Sequence, residues 1–306
     1  MKIQRVTFLG VRGVGDLALD FTNPRTGAPH DVVILAGPPA SGKTRALEAI
    51  VAAKEAIGPY GPMAAGGPWI AAGSMASKVV IALYLDEEER TYAGTASPIL
   101  EGEATFLPQR TAREAGEELT AVLERYEHGE KTGKVEYFPA SRRVSTFGPF
   151  HGMGALEQRL LRPGKDPRKY SFIMRFLREI EGEAEVAQRF SERLAALSPT
   201  CRFERTSSSN ALPRGFRSRE GSLLSLGELS DSESDAVLFA ATAVALDLHR
   251  SLVLIDRPEL YADARWLRNF MVGLRSLGED NQLILASSSP ELAAAAEDAL
   301  VVSLEG

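Results

Sequence analysis

One octapeptide constrains the fold of this chain more than any other feature: Gly37-Pro38-Pro39-Ala40-Ser41-Gly42-Lys43-Thr44. It satisfies G-x-x-x-x-G-K-[ST] and sits where that pattern has physical meaning, between an apolar run and a helical one. The run before it, DVVILAG at 31–37, is nearly continuous in apolar residues, as in a strand covered on both faces. The segment after it, KTRALEAIVAAKEAI at 43–57, puts Ala46, Leu47, Ile50 and Val51 on one helical face. A strand, a glycine-rich loop and a helix N-terminus in that order aim backbone N–H groups at one point, which makes an anion site. A lysine there reaches the β- and γ-phosphates, and the hydroxyl beside it can ligate Mg²⁺. The octapeptide therefore predicts a nucleoside triphosphate held by Gly37, Pro38, Ala40, Ser41, Gly42, Lys43, Thr44 and Arg45, with Thr44 also on the metal.

Composition excludes several other classes. A chain of 306 residues that is 44% hydrophobic and 25% charged has the make-up and length for one large core or two smaller ones. No apolar run reaches the ~18 to 20 residues of a membrane span, and MKIQRVTFLG lacks the pattern of a secretion signal, so a cytoplasmic protein without membrane contact is expected. Cys201 is the only cysteine, which rules out an internal disulfide and a cysteine-based zinc site. His30, His128, His151 and His249 show no metal-ligand spacing. The net charge of -6 argues against a wholly basic nucleic-acid coat but leaves room for a local basic patch.

Along the chain, 3–9 and 16–21 read as two strands joined by a turn with Gly10, Gly13 and Gly15. Gly and Pro crowd 58–73, a surface excursion. Strands are predicted at 78–85, 103–107 and 134–138, with a helix at 111–127 between the last two. Residues 153–197 read as helical, 201–207 as a strand and 232–249 as a helix. The chain closes with strand 251–256, helix 262–277, strand 281–286, helix 290–297 and strand 299–303. On this reading 1–57 and 220–306 form one α/β core, and 58–219 is a mixed α/β and helical insertion. Asp256 closes the apolar strand SLVLID and is the expected second Mg²⁺-positioning residue, across from Thr44.

The order of MKIQRVTFLGVRGVGDLALDF, LAGPPASGKTRALEAI, LGELSDSESDAVLFAATAVAL, LVLIDRPELY and QLILASSSPEL resembles ATP-binding cassette ATPases of the SMC, RecF and OLD group. The resemblance covers 1–57 and 220–306 well and the middle loosely. It implies a P-loop NTPase fold with an ABC-ATPase head-like mixed sheet and a helical insertion, ATP as the nucleotide, and an ATP-dependent head-to-head homodimer. In that family a signature serine at a helix N-terminus meets the γ-phosphate bound by the opposite subunit, and LSDSE makes Ser230 its equivalent. A plain N-cap for the apolar helix explains Ser230 equally well. A family glycine is replaced by Ser232.

Two departures bear on hydrolysis. The family's metal strand usually runs Asp-Glu-Pro-Glu, the first glutamate orienting the attacking water, whereas this chain has Asp256-Arg257-Pro258-Glu259. A guanidinium cannot act as that base. Glu259 is the candidate to replace it, although Pro258 constrains where it points. The family's phosphate-sensing histidine is replaced by Ser288 in ASSSPEL, so Glu259 and Ser288 are the catalytic candidates of a site expected to bind better than it turns over.

Gln109 in FLPQR is a candidate metal-coupling glutamine or a solvated loop residue. YFPASRR, 137–143, offers Arg142 and Arg143 to phosphate or partner, or is a solvated basic turn. RLLRPGKDPRKYSFIMRFLR, 159–178, reads as a nucleic-acid patch, a solvated helix face or a protein-docking surface. The chain lacks a nuclease-like acid cluster and coiled-coil arms, so the output is expected to belong to a partner protein encoded nearby, as in small ATPases of anti-phage or DNA-maintenance operons. A DNA-processing ATPase, a non-catalytic scaffold and a transporter-type nucleotide-binding subunit are the competing readings.

Overall fold

The fold comes from a computed structural model of the chain and is described for residues 1–58, 66–125, 133–144, 167–204, 215–262 and 264–305. The sequence readings for 59–65, 126–132, 145–166 and 205–214 lie outside the described residues. These include much of the glycine-rich excursion, His128, His151 and half of the basic stretch.

Five strands form an antiparallel sheet: β1 (Lys2–Val11), β2 (Gly15–Asp20), β4 (Ser77–Tyr84), β5 (Ile99–Phe106) and β6 (Thr111–Ala115), ordered β2-β1-β4-β5-β6. Five more form a parallel sheet: β3 (Val32–Ala36), β7 (Val135–Phe138), β11 (Leu252–Asp256), β12 (Gln282–Ser287) and β13 (Leu300–Ser303), ordered β13-β3-β12-β11-β7. Strands β4 to β6 complete the sheet begun by β1 and β2, and β7 joins the parallel sheet. Strands β4 and β7 thus share hydrogen-bonded sheets with β1 and β11, from opposite ends of the chain. Three two-residue strands, β8 (Arg202–Phe203), β9 (Phe216–Arg217) and β10 (Leu223–Leu224), make a small third sheet.

Helix α1 (Lys43–Ile57) packs between the two large sheets. Alternation in the parallel strands sorts their side chains: Val33, Leu35, Leu254 and Ile284 face α1, while Ile34, Val253, Ile255 and Leu285 face a helical layer. That layer holds α4 (Phe172–Glu179), α5 (Ala184–Leu197), α6 (Asp231–Leu246) and α7 (Leu267–Arg275). Two short helices, α2 (Glu87–Ala93) and α3 (Glu117–Arg125), follow β4 and β6, and α8 (Pro290–Ala295) follows β12. With both faces covered, parallel strands must be apolar throughout, as DVVILAG and SLVLID are. Leu47, Ile50 and Val51 on α1 are fully buried, a burial that stabilises by about 1.5–3 kcal/mol per side chain.

Three element readings change. The helix expected over 111–127 is a strand, Thr111–Ala115, followed by the shorter α3, because pairing with β5 outweighs the helical propensity of its Ala, Arg and Glu. The strand expected at 201–207 is paired only over Arg202–Phe203 among the described residues. The helix expected over 262–277 starts as 3₁₀ turns and becomes α-helical at Leu267.

Candidate functional site

Parallel pairing assembles the site at one edge of a sheet. Register sets Ala36 beside Ser287 and Ala286 beside Asp256, so β3, β12 and β11 end side by side. The segments leaving those ends, Gly37–Gly42, Ser288–Ser289 and Arg257–Glu259, therefore converge at the carboxyl ends of the strands, where open α/β sheets bind ligands.

The loop after β3 needs glycine at two points. Gly37 has φ 154° and a side chain there would meet Leu304 O at 2.3 Å; Gly42 has φ 87° and would meet Gly13 O at 2.3 Å. Ala40 is also left-handed, with φ 67°. The Lys43 ammonium donates to Gly37 O at 2.8 Å, Pro38 O at 2.6 Å and Ser41 Oγ at 3.1 Å. Desolvation, helped by the nearby Arg257, holds Lys43 below the ordinary lysine range against the pull of Asp256 and Glu259. Three neutral acceptors are a modest match for an ammonium, and phosphate oxygens would be stronger ones. An open hollow of about 530 Å³ beside the loop is lined by Ala40, Ser41, Gly42, Lys43, Thr44 and Arg45, together with Arg12, Gly13 and Pro68.

Thr44 Oγ donates to Asp256 Oδ1 and Oδ2, at 3.0 Å each. A hydroxyl and a carboxylate in contact supply the hard oxygen donors that Mg²⁺ favours, so these residues fit the ion. Gln109 is exposed in the turn between β5 and β6 and does not line the hollow.

Arg257 directly follows Asp256 in a left-handed turn, φ 51° and ψ 62°, and its side chain is exposed. That backbone costs a non-glycine residue about 1–2 kcal/mol. Glu259 is half-buried; Ser287 Oγ donates to its Oε1 at 2.8 Å, while its Oε2 is buried without a partner. Ser288 is exposed at the strand end, and its buried neighbour Ser287, not Ser288, is the residue that touches Glu259.

Ser230 caps α6. Its Oγ accepts from Glu233 N at 3.3 Å, and Glu233 Oε2 accepts from Ser230 N at 3.1 Å and from Ser230 Oγ at 2.8 Å, a reciprocal capping box. Ser230 and Ser232 also line a second hollow of about 800 Å³, shared with Tyr261, Arg265 and Trp266.

The basic turn at the end of β7 divides. Arg143 is exposed, but Arg142 is neither solvated nor free for phosphate: its side chain is 0% exposed and ion-paired to Asp235. Of the stretch 159–178, Arg175 is exposed and pairs with Glu179 on its own helix, and Lys169 is buried against Glu136 at 2.6 Å.

Sequence reasoning did not single out Arg12, Pro68 or Ser287, and it gives Asp235 only as an acid near the start of the helix, not as the partner of Arg142. The Arg45 guanidinium lies 4.0 Å above the Trp69 ring and donates to Arg12 O, which brings the turn after β1 and the segment 66–70 to the edge of the phosphate hollow. The glycines flanking Arg12 were the available signal, because a chain that passes close to a phosphate loop needs them.

Neither a protein-family model nor a curated protein matches the chain. Solved structures do. The SMC head domain from Thermotoga maritima matches with a TM-score of 0.55 at 13% identity, over 99% of this chain and 94% of that one. A crystal structure of an Smc head bound to the C-winged helix domain of ScpA gives 0.59 at 16% identity, over 97% and 92%. The Smc head with an extended coiled coil bound to the C-terminal domain of ScpA from Pyrococcus furiosus gives 0.60 at 14%, over 99% and 94%. The chain therefore has the fold of an SMC head domain, a mixed α/β P-loop NTPase fold. Among the described residues no helix is long and apolar enough to cross a membrane.

Proposed function

We propose that this chain is an ATP-binding subunit that uses Mg²⁺-ATP as a dimerisation switch for a partner protein and hydrolyses ATP slowly. The observation that carries the reading is Arg257. The Thr44–Asp256 pair is set at 3.0 Å and Lys43 faces the loop, while the residue after Asp256 is an exposed cation whose charge reaches Lys43, where a general base requires a carboxylate. A cation beside the terminal phosphate strengthens binding of a triphosphate but cannot take a proton from water.

The chain's own residues divide the work. Lys43 and the loop amides hold phosphate, and Thr44 with Asp256 would hold Mg²⁺, which when bound neutralises phosphate charge. Glu259, fixed by Ser287 with one oxygen unpartnered, is the base left for residual turnover. Ser230 and the free amides of α6 would meet the nucleotide of a second copy, so that ATP shifts the population toward a closed dimer. The SMC heads it resembles include two solved with a ScpA domain bound, which supports a partner protein as the recipient of the switch. The role of 58–219 in contacting that partner belongs to the same proposal, as does nucleic acid as a further ligand.

The test is mass by light scattering with and without ATP and Mg²⁺, for wild type and Lys43→Ala. An ATP-dependent doubling of mass that Lys43→Ala abolishes is expected. A wild-type mass indifferent to nucleotide would sink the reading.

A further inference from the structure

Among the described residues Arg142 is the largest side chain wholly enclosed by the fold, and all its donor nitrogens are engaged. Nε and Nη2 donate to Asp235 Oδ1 at 2.6 Å and Oδ2 at 2.9 Å, a two-pronged pairing that fixes the plane of the guanidinium. Nη1 donates to Asp256 O at 2.9 Å, and Nη2 also to Arg257 O at 3.2 Å and to Pro258 O at 3.5 Å. One face of the group lies 4.9 Å from the Phe239 ring, and Tyr261 stands at 5.9 Å.

Those contacts join three segments far apart in sequence: the end of β7, the first turns of α6, and the turn that carries Arg257. Three successive carbonyls of the Asp256–Pro258 turn face one cation, and Arg257 is the left-handed residue among them. Asp235 is the acid on the other side, five residues beyond the Ser230 cap. A displacement of the α6 N-terminus must drag the guanidinium, and with it the carbonyls that set where Arg257 and Glu259 point. Because the cluster is buried and its donors are committed, it cannot absorb such a shift by re-solvating.

We infer that Arg142 is a positioning residue that couples the nucleotide site to the dimerisation surface within one subunit. It transmits the state of the Asp256–Pro258 turn to the N-terminus of α6 through Asp235. The inference rests on the dimer-switch reading above and adds the route by which the site and the surface communicate. The coupling is reciprocal: contact at Ser230 by a second copy would stabilise the same turn from the other end.

Arg142→Ala would strand a buried carboxylate and risks unfolding, so Arg142→Lys and Asp235→Asn carry the test; both keep side-chain volume and break the two-pronged pairing. Two quantities are measured for wild type, each variant and the double variant: the Kd of a fluorescent ATP analogue at a concentration where the chain is monomeric, and the dimerisation constant at saturating Mg²⁺-ATP. The expected result is a split. Nucleotide Kd stays within about threefold of wild type, while dimerisation weakens by about tenfold or more, and the double variant is no worse than either single one.

Variants that dimerise like wild type overturn the inference and leave the switch intact. Parallel losses of nucleotide affinity and dimerisation overturn it as well, since a mere brace would give them, and so does loss of the folded near-ultraviolet dichroism in both variants. A wild type that binds the analogue and stays monomeric removes the switch itself, and the coupling with it.

Discussion

Thr44 Oγ lies 3.0 Å from both carboxylate oxygens of Asp256, although the two residues stand 212 positions apart. The pairing follows from strand order. β3 and β11 flank β12 in one parallel sheet, so the helix leaving β3 and the last residue of β11 must meet. Preassembly of two hard donors is expected to show as metal-dependent affinity. Thr44→Ala and Asp256→Asn should each weaken Mg²⁺-ATP binding by about 10- to 100-fold, and the loss should shrink when titrations are repeated in EDTA. Equal losses with and without metal would place these residues in the scaffold alone.

Glu259 is a second carboxylate, after Asp256, whose charge reaches Lys43, and Ser287 holds it at 2.8 Å. If residual turnover uses it, Glu259→Gln should lower phosphate release by about 10²-fold while ATP affinity changes less than about threefold, the separation expected of a general base. Ser287→Ala should act in the same direction more weakly, since it frees the carboxylate without removing it. Unchanged phosphate release in Glu259→Gln would dismiss it as the base.

The cap that Ser230 forms and the contact proposed for it across a dimer can be separated by substitution. As a cap in a reciprocal box it should contribute about 1 kcal/mol, so Ser230→Ala should lower the thermal midpoint by a few degrees. Ser230→Asp should keep the cap, because aspartate is as good an N-cap as serine, yet it would set a negative charge where the opposing phosphate is proposed to dock. Retained thermal stability with loss of the ATP-dependent dimer is therefore expected of Ser230→Asp. An intact dimer would leave Ser230 a cap and nothing more.

Cys201 is buried, and burial, with Glu233 adding to it, pushes its thiol up to about 12. A folded value above the unfolded one means that folding suppresses the thiolate. Cys201 therefore costs the fold stability as pH rises past the ordinary thiol range toward 12, and costs none below it. At pH 8 iodoacetamide should modify the native chain at least about a hundredfold more slowly than the chain in urea. As the only cysteine, it reports global opening without engineering. Fast labelling of native protein would mean that this part of the helical layer opens readily.

The phosphate loop, its flanking strand and helix, and Asp256 were legible in the sequence, because each is encoded by neighbours: glycine where φ is positive, apolar runs where both sheet faces are covered. The site's other half was not. Thr111–Ala115 reads as a helix because its residues favour one, and only the unoccupied edge of β5 makes it a strand. Arg142-Arg143 looks like any exposed basic turn, and the first of the pair is buried because an acid 93 positions away is buried where its helix turns apolar. That acid, Asp235 in SDAVLFAATAVAL, was the available clue, since a carboxylate among buried alanines and leucines demands a counter-charge. Which cation answers it depends on the neighbourhood of β7 and β11, which no local pattern records.

The most direct test is steady-state phosphate release by wild type, Arg257→Glu and Lys43→Ala at saturating Mg²⁺-ATP. Slow release by wild type, a rise of about 10²-fold or more in Arg257→Glu, and release at background in Lys43→Ala are expected, because restoring a carboxylate after Asp256 supplies the missing general base. Brisk wild-type hydrolysis that Lys43→Ala abolishes and Arg257→Glu fails to raise would contradict the account: the cation after Asp256 would then be no obstacle to turnover, and the chain would be a working hydrolase.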